Sequence, residues 1–89
     1  MGKQINYTEK AAKQLRRIFK SDSKSARMIV KAIENYANDS EGKHDVKILK
    51  GQFENLKRLR AGNYRVIFDE DMTVISIYEI KHRQEAYND

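Results

Sequence analysis

The sequence predicts a single α+β domain: an N-terminal strand, a helical hairpin, then a three-stranded antiparallel meander, with the strands joined in one curved sheet. Three observations carry this. At 89 residues the chain has the length of one domain. Its apolar residues follow a helical period in the first half and alternate in the second. It contains no proline to interrupt either run.

Lys3–Tyr7 alternates, with Ile5 and Tyr7 on one side, and reads as a short first strand. Thr8 offers an N-cap, and Glu9 stands where the helix dipole favours an acid. Ala11, Ala12, Leu15, Ile18 and Phe19 then recur at helical spacing up to about Lys20. Ser21-Asp22-Ser23 breaks this helix and caps a second, whose apolar stripe is Ala26, Ile29, Val30, Ile33 and Tyr36. The polar run Asn38–Gly42 ends it. So short a joint between two amphipathic helices implies a hairpin. Leu56–Arg60 is a candidate strand, Ala61-Gly62-Asn63 a turn, and Tyr64–Phe68 a strand rich in aromatic and β-branched residues. Asp69-Glu70-Asp71 reads as a solvated charged turn before the last strand, Thr73–Ile80. Short connections make these strands an antiparallel meander. The helices cover one face of the sheet, and the other is the expected site.

The formal net charge is +5, which favours an anionic partner. Residues 1–42 carry nine Lys/Arg against five Asp/Glu, residues 43–65 seven against two, and residues 66–89 two against six. By this division the middle segment is the densest basic region, and its cations Lys50, Lys57, Arg58, Arg60 and Arg65 fall on a stretch expected to be sheet. Residues two apart on a strand share a face, so Arg58 and Arg60 point the same way. Such closeness is unfavourable unless an anion or a carboxylate lies between them. Arginine grips phosphate with a planar fork, so a concave sheet bearing several of them makes a cradle for RNA. A solvated face with incidental ion pairs is the competing reading.

Most enzyme signatures are missing. The four glycines are scattered, with no phosphate-binding loop. Two histidines and no cysteine make a poor metal site and exclude disulfides. The N-terminus lacks an apolar run of signal-peptide length, and no segment has the length of a membrane span, so a soluble cytoplasmic protein is expected.

Three segments in order carry a family resemblance: Val46–Gly51 with its Leu-Lys-Gly step, Leu56–Phe68 with its Leu-Arg-Ala-Gly-Asn-Tyr-Arg-Val-Ile-Phe run, and Val74–Tyr87 with His82-Arg83 and a terminal tyrosine. Together they resemble the RelE/ParE toxin superfamily over residues 1–89. The resemblance implies the toxin of a type II toxin–antitoxin system, held inactive in a hetero-oligomer by a cognate antitoxin. On the RelE branch such toxins are ribosome-dependent endoribonucleases that cleave mRNA. On the ParE branch the same scaffold inhibits DNA gyrase without being an enzyme. The retained cations with Arg83 and Tyr87 favour the RelE branch. Carried over by position, Arg58, Arg65, Arg83 and Tyr87 are the implied catalytic residues, and Lys50, Lys57 and Arg60 the implied RNA contacts. No metal or cofactor is implied. The pattern departs from the best-known RelE site at Leu56, where a second lysine would stand, and Lys57 should point to the opposite face. Arginine stays protonated and is a poor base, which leaves His82 and Glu54 as candidates for that role.

Overall fold

The computed structural model describes residues 2–49 and 56–84. Its elements are β1 (Gln4–Tyr7), α1 (Glu9–Ser21), α2 (Ser23–Asn38), β2 (Val46–Ile48), β3 (Lys57–Ala61), β4 (Tyr64–Glu70) and β5 (Val74–His82). The described strands form one five-stranded sheet in the order β1-β5-β4-β3-β2. The α+β class and the one-sided helical cover are as expected.

Two features depart from expectation. The meander has an additional strand, β2, pairing antiparallel with β3. At three residues, β2 is too short to show an alternating pattern. The sheet is also mixed: β1 runs parallel to β5, with Ile5 opposite Ile75 and Tyr7 opposite Ile77. The long excursion through α1 and α2 lets the first strand return beside the last, a neighbour that no local pattern announces.

The helices begin as their capping residues dictate. The Thr8 hydroxyl accepts the Ala11 N–H at 3.1 Å and donates to the Tyr78 carbonyl at 3.2 Å, so it caps α1 and pins it to β5. Asp22 closes one helix and opens the next. Its N–H donates to the Ile18 carbonyl at 2.7 Å, and its carboxylate accepts from the Ser25 N–H and hydroxyl. Beyond the end of β1, α1 covers the edge of β5, where the Gln14 side chain accepts the Ile80 N–H at 2.7 Å. Gly62 turns β3 into β4 at φ +60°. A Cβ there would lie 2.8 Å from the Met28 sulfur of α2, so both conformation and space favour glycine.

The core lies between the hairpin and one face of the sheet. Ala11, Ala26, Ile29 and Ile33 from the helices meet Leu59, Val66, Phe68, Ile75, Ile77 and Ile80 from the strands. Phe19, expected on the buried stripe of α1, is 40% exposed.

The acidic run after β4 is not the solvated turn that its composition suggests. Asp71 does cap the turn, accepting the Thr73 and Val74 N–H groups, each at 2.8 Å. Glu70, however, is the last residue of β4 and its side chain is only 7% exposed. Lys3 and Lys57 donate to it at 2.6 and 2.8 Å, and the Tyr36 hydroxyl donates to it as well. One carboxylate therefore joins the start of β1, α2, β3 and β4. Burial alone would raise its pKa, but the hydrogen bonds from Lys3, Lys57 and Tyr36 outweigh that and hold it down at about 2. Burial, and then the bond to Glu70, push the Tyr36 phenol up.

Glu70→Gln keeps the shape but removes the charge that both lysines face. It should destabilise the fold by about 1–3 kcal/mol at neutral pH, the scale of a broken charged hydrogen-bond network. Because the folded pKa lies below the ordinary value of 4.5, the stabilisation is fully present above pH 4.5 and fades as pH falls toward 2. Chemical denaturation against pH checks this: the wild-type protein should lose its advantage over the variant across that window, whereas a constant gap would contradict the assignment.

Candidate functional site

The cations of β3 to β5 divide between the two faces of the sheet, and the register fixes the division. Leu59, Val66 and Ile80 form one cross-strand row against the helices. On the opposite, outer face, Arg60 lies directly across from Arg65, and Arg65 across from Lys81. The adjacent outer row runs Lys47, Arg58, Ile67, Glu79. Arg83 follows at the end of β5, where its N–H donates to the Asn63 carbonyl at 2.7 Å and prolongs the ladder. Five cations thus occupy two neighbouring rows of one face, with exposed Arg83 at its end.

Their settings differ. Arg58 is 7% exposed, and Ile67 beside it is 8% exposed although it does not belong to the core beneath the helices. This face therefore has a dry floor, where a guanidinium acts on an anion through a lower dielectric than water. Arg60 and Lys81 stand higher, with side chains 50% and 36% exposed. Asp45 lies between the arginines: its carboxylate is 3.7 Å from Arg58 Nη2 and 3.6 Å from Arg60 Nε. These long contacts supply the intervening carboxylate that two neighbouring cations require. At 53% exposure Asp45 is a loosely held partner. Nothing in the spacing of Asp45 singled it out, because its place beside Arg58 and Arg60 depends on β2 pairing with β3. Lys81 was likewise missed, although its position two residues before Arg83 on a strand carries the signal.

Two further candidates lie elsewhere. Lys57 is on the helix-facing side at the corner of the sheet, bound to Glu70 at 2.8 Å, and is not brought together with Arg58 and Arg60. His82 is across from Tyr64, the rings edge to face with centroids 5.1 Å apart, on the side of Ala61 and Ile80 rather than of the arginines. Lys50, Glu54 and Tyr87 lie outside the described residues. Among the described residues no group of three or more His, Asp or Glu side chains is placed to hold a metal ion.

A second basic surface covers the outside of the hairpin. Residues 10–31 hold eight Lys/Arg against the single acid Asp22, a denser excess than that of the middle segment. Division of the chain at residue 42 conceals it, because Glu34, Asp39 and Glu41 are then counted with the hairpin.

The described residues thus form a mixed five-stranded sheet, covered on one side by a helical hairpin and cationic on the other. The family described as the ParE toxin of type II toxin–antitoxin systems, parDE, matches residues 5–87, and the chain belongs to it. Solved structures share the fold. The YoeB dimer from Staphylococcus aureus superposes with a TM-score of 0.75 at 18% identity, covering 92% of this chain and 98% of that one. The toxin–antitoxin complex RelBE2 from Mycobacterium tuberculosis gives 0.77 at 19%, covering 93% and 100%. The archaeal RelE–RelB complex from Pyrococcus horikoshii gives 0.70 at 26%, covering 93% and 97%. No curated protein matches the sequence.

Lys81 tests whether the outer face trades stability for charge. Its neighbour across the ladder is Arg65, and a like-charged cross-strand pair costs about 0.2–1 kcal/mol. Lys81→Gln should therefore raise the unfolding free energy by up to about 1 kcal/mol at low ionic strength, with the gain shrinking as salt is added. Loss of stability in this variant would mean that the 3.5 Å pairing of Lys81 with Glu79 outweighs the repulsion.

Proposed function

We propose that this toxin is a ribosome-dependent endoribonuclease that cleaves mRNA on the outer face of its sheet. The observation that carries the reading is the cross-strand row of Arg60, Arg65 and Lys81 beside the buried Arg58. Cations packed so closely are stabilised by a polyanion threaded over them.

The reaction in this reading is attack of a ribose 2′-hydroxyl on the adjacent phosphate. The 2′-oxygen forms a bond to phosphorus as the bond to the departing 5′-oxygen breaks, giving a 2′,3′-cyclic phosphate and a 5′-hydroxyl. Arg65 and Arg83 stabilise the charge that accumulates on the phosphoryl oxygens, and Arg58 and Arg60 hold the flanking backbone. The proton from the 2′-hydroxyl must be removed and one supplied to the leaving oxygen. Arginine does neither at neutral pH. Tyr87 is the residue proposed for this exchange, and Glu54 the alternative base. His82, turned toward Tyr64 on the other side of the sheet, is not favoured. A site of fixed cations orients and stabilises well but moves protons poorly, which suits a nuclease whose substrate is aligned by the ribosome.

The partner proposed for regulation is an antitoxin. Solved relatives include YoeB with YefM and RelE with RelB. An acidic segment that folds on docking would neutralise the hairpin cations or extend the exposed edge at β2. The protein is proposed to act in the cytoplasm, where ribosomes and message are found. Among the described residues no helix is long and apolar enough to cross a membrane.

A second reading, inhibition of DNA gyrase without catalysis, draws on the ParE family match itself. Paired assays separate the two. The nuclease reading expects ribosome-bound mRNA to be cut by the purified toxin while gyrase supercoiling is untouched; the reverse pattern would establish the ParE-type activity. Within the nuclease reading, Arg83→Ala should lower single-turnover cleavage by roughly 10²-fold or more, with ribosome affinity changed far less, because its charge acts on the transition state. Equal losses in both would make Arg83 a binding residue only. Tyr87→Phe should cut the rate by at least about ten-fold, the low end of an acid–base contribution, and an unchanged rate would remove Tyr87 from the chemistry.

A further inference from the structure

The outer face is not cationic throughout. Along β4 its outward side chains run Arg65, Ile67, Asp69, so the character changes from basic to acidic over about 13 Å at the usual rise of a strand. The change coincides with an irregularity. Ile67 pairs with Glu79 but Phe68 pairs with Ile77, which leaves Tyr78 as an extra residue on β5. Bulges of this kind re-aim a side chain, and they are frequent beside binding sites. Ile77 and Ile80 remain in the core, so Tyr78 and Glu79 both leave it. The Tyr78 ring is 39% exposed, and its hydroxyl donates to Asp69 Oδ2 at 2.9 Å, which fixes the ring against the face. Next to Asp69 the surface sinks into a cavity of about 420 Å³ lined also by Ile48, Val74, Ser76, Asp71 and the paired Lys57 and Glu70.

Acidic groups repel a phosphate backbone, so the part of an RNA strand that can rest here is a base. An exposed, anchored aromatic ring suits stacking, the usual means by which proteins hold single-stranded RNA. A carboxylate at the rim of that ring accepts hydrogen bonds through two oxygens side by side. Guanine presents the matching pair of parallel donors, N1–H and N2–H, on its Watson–Crick edge. Uracil and inosine offer one donor there. Adenine offers its amino group beside an acceptor.

We propose that Tyr78 and Asp69 form a base-reading subsite that selects guanine in the strand held by Arg58, Arg60 and Arg65. The ring carries the base, and the carboxylate reads its edge. This rests on the outer face being the RNA surface and adds a sequence preference to it. Lys10 and Lys81 hold the neighbouring Glu79, Lys3 and Lys57 hold Glu70, and Asp71 caps its turn, so Asp69 is the carboxylate of this region left to the base.

The test uses the whole protein and 2′-O-methyl hexanucleotides, which lack the attacking hydroxyl and so report binding alone. Four probes are compared: all uridine, and the same strand with guanosine, inosine or adenosine at its centre. Fluorescence anisotropy should show the guanosine strand bound roughly ten-fold more tightly than the others, the usual scale for one good two-pronged contact. Asp69→Asn should remove that preference while leaving affinity for the uridine strand within about two-fold. Tyr78→Ala should weaken all four by roughly ten-fold, as the loss of one stacked base does, and Tyr78→Phe should retain most of the affinity. Equal binding of all four strands by the wild-type protein, or a preference that survives Asp69→Asn, overturns the proposal. Arg65→Ala separates the two levels of the reading. Binding that falls with Arg65→Ala yet ignores Tyr78 and Asp69 defeats the subsite and spares the surface. Binding indifferent to all three residues defeats both.

Discussion

The alternation of inward and outward side chains on β3, β4 and β5, stepped once by the bulge at Tyr78, is the constraint on which everything else rests. The apolar inward positions at the centre of these strands are buried under the hairpin: Leu59, Val66, Phe68, Ile75, Ile77 and Ile80 lie at most 3% exposed. The intervening positions are thereby committed to the other side. A slip of β3 by one residue against β4 would drive Arg58 and Arg60 under the helices and expose Leu59, at a cost no fold of this size could bear. The arginine face is thus fixed by hydrophobic burial behind it. Polar groups then fasten the frame at its corners. Glu70 ties the β1 end to α2 and β3, and Gln14 covers the edge of β5 where β1 stops.

The electrostatics follow from that frame. Like charges facing each other across a ladder oppose folding, and here one row holds Arg60, Arg65 and Lys81. Asp45 offsets part of the repulsion from the flank, through long and exposed contacts. A surface in this condition gains from any chain of negative charges laid across it. The partly buried floor of Arg58 and Ile67 sharpens the effect by lowering the local dielectric. Toward Asp69 the sign reverses, which gives the face a direction. The outside of the hairpin carries a still greater basic excess, yet its side chains are exposed to water, where screening is strong.

Most of the fold was legible because its signals are local. The caps at Thr8 and Asp22, the Gly62 turn and the alternation of Tyr64–Phe68 each declare an element within a few residues. What escaped was set by partners distant in sequence. β2 is a strand because β3 lies beside it, and β1 is parallel because the hairpin returns the chain alongside β5. The acidic triplet shows the same limit most clearly. Asp69, Glu70 and Asp71 look alike in the sequence. In the structure one anchors Tyr78, one is a buried hub and one caps a turn. Among the site residues, the pairing of Arg58 with Arg60 follows from parity alone, and so does the separation of Lys57 from both. That His82 turns toward Tyr64 depends on the bulge at Tyr78, which shifts the parity of the last strand and which only the three-residue step from Ile77 to Ile80 marks in the sequence.

The central claim is that the sheet, and not the hairpin, receives RNA. The arginines are divided for the purpose, with Arg16, Arg17 and Arg27 on the hairpin and Arg58, Arg60, Arg65 and Arg83 on β3 to β5 and just beyond. Their guanidinium Nε–H resonances can be followed individually by nuclear magnetic resonance while a non-cleavable RNA strand is titrated in. The account predicts that Arg58, Arg60, Arg65 and Arg83 shift and saturate together, while the three hairpin signals move little. Saturable shifts confined to Arg16, Arg17 and Arg27 would contradict it and place the RNA on the opposite side of the molecule.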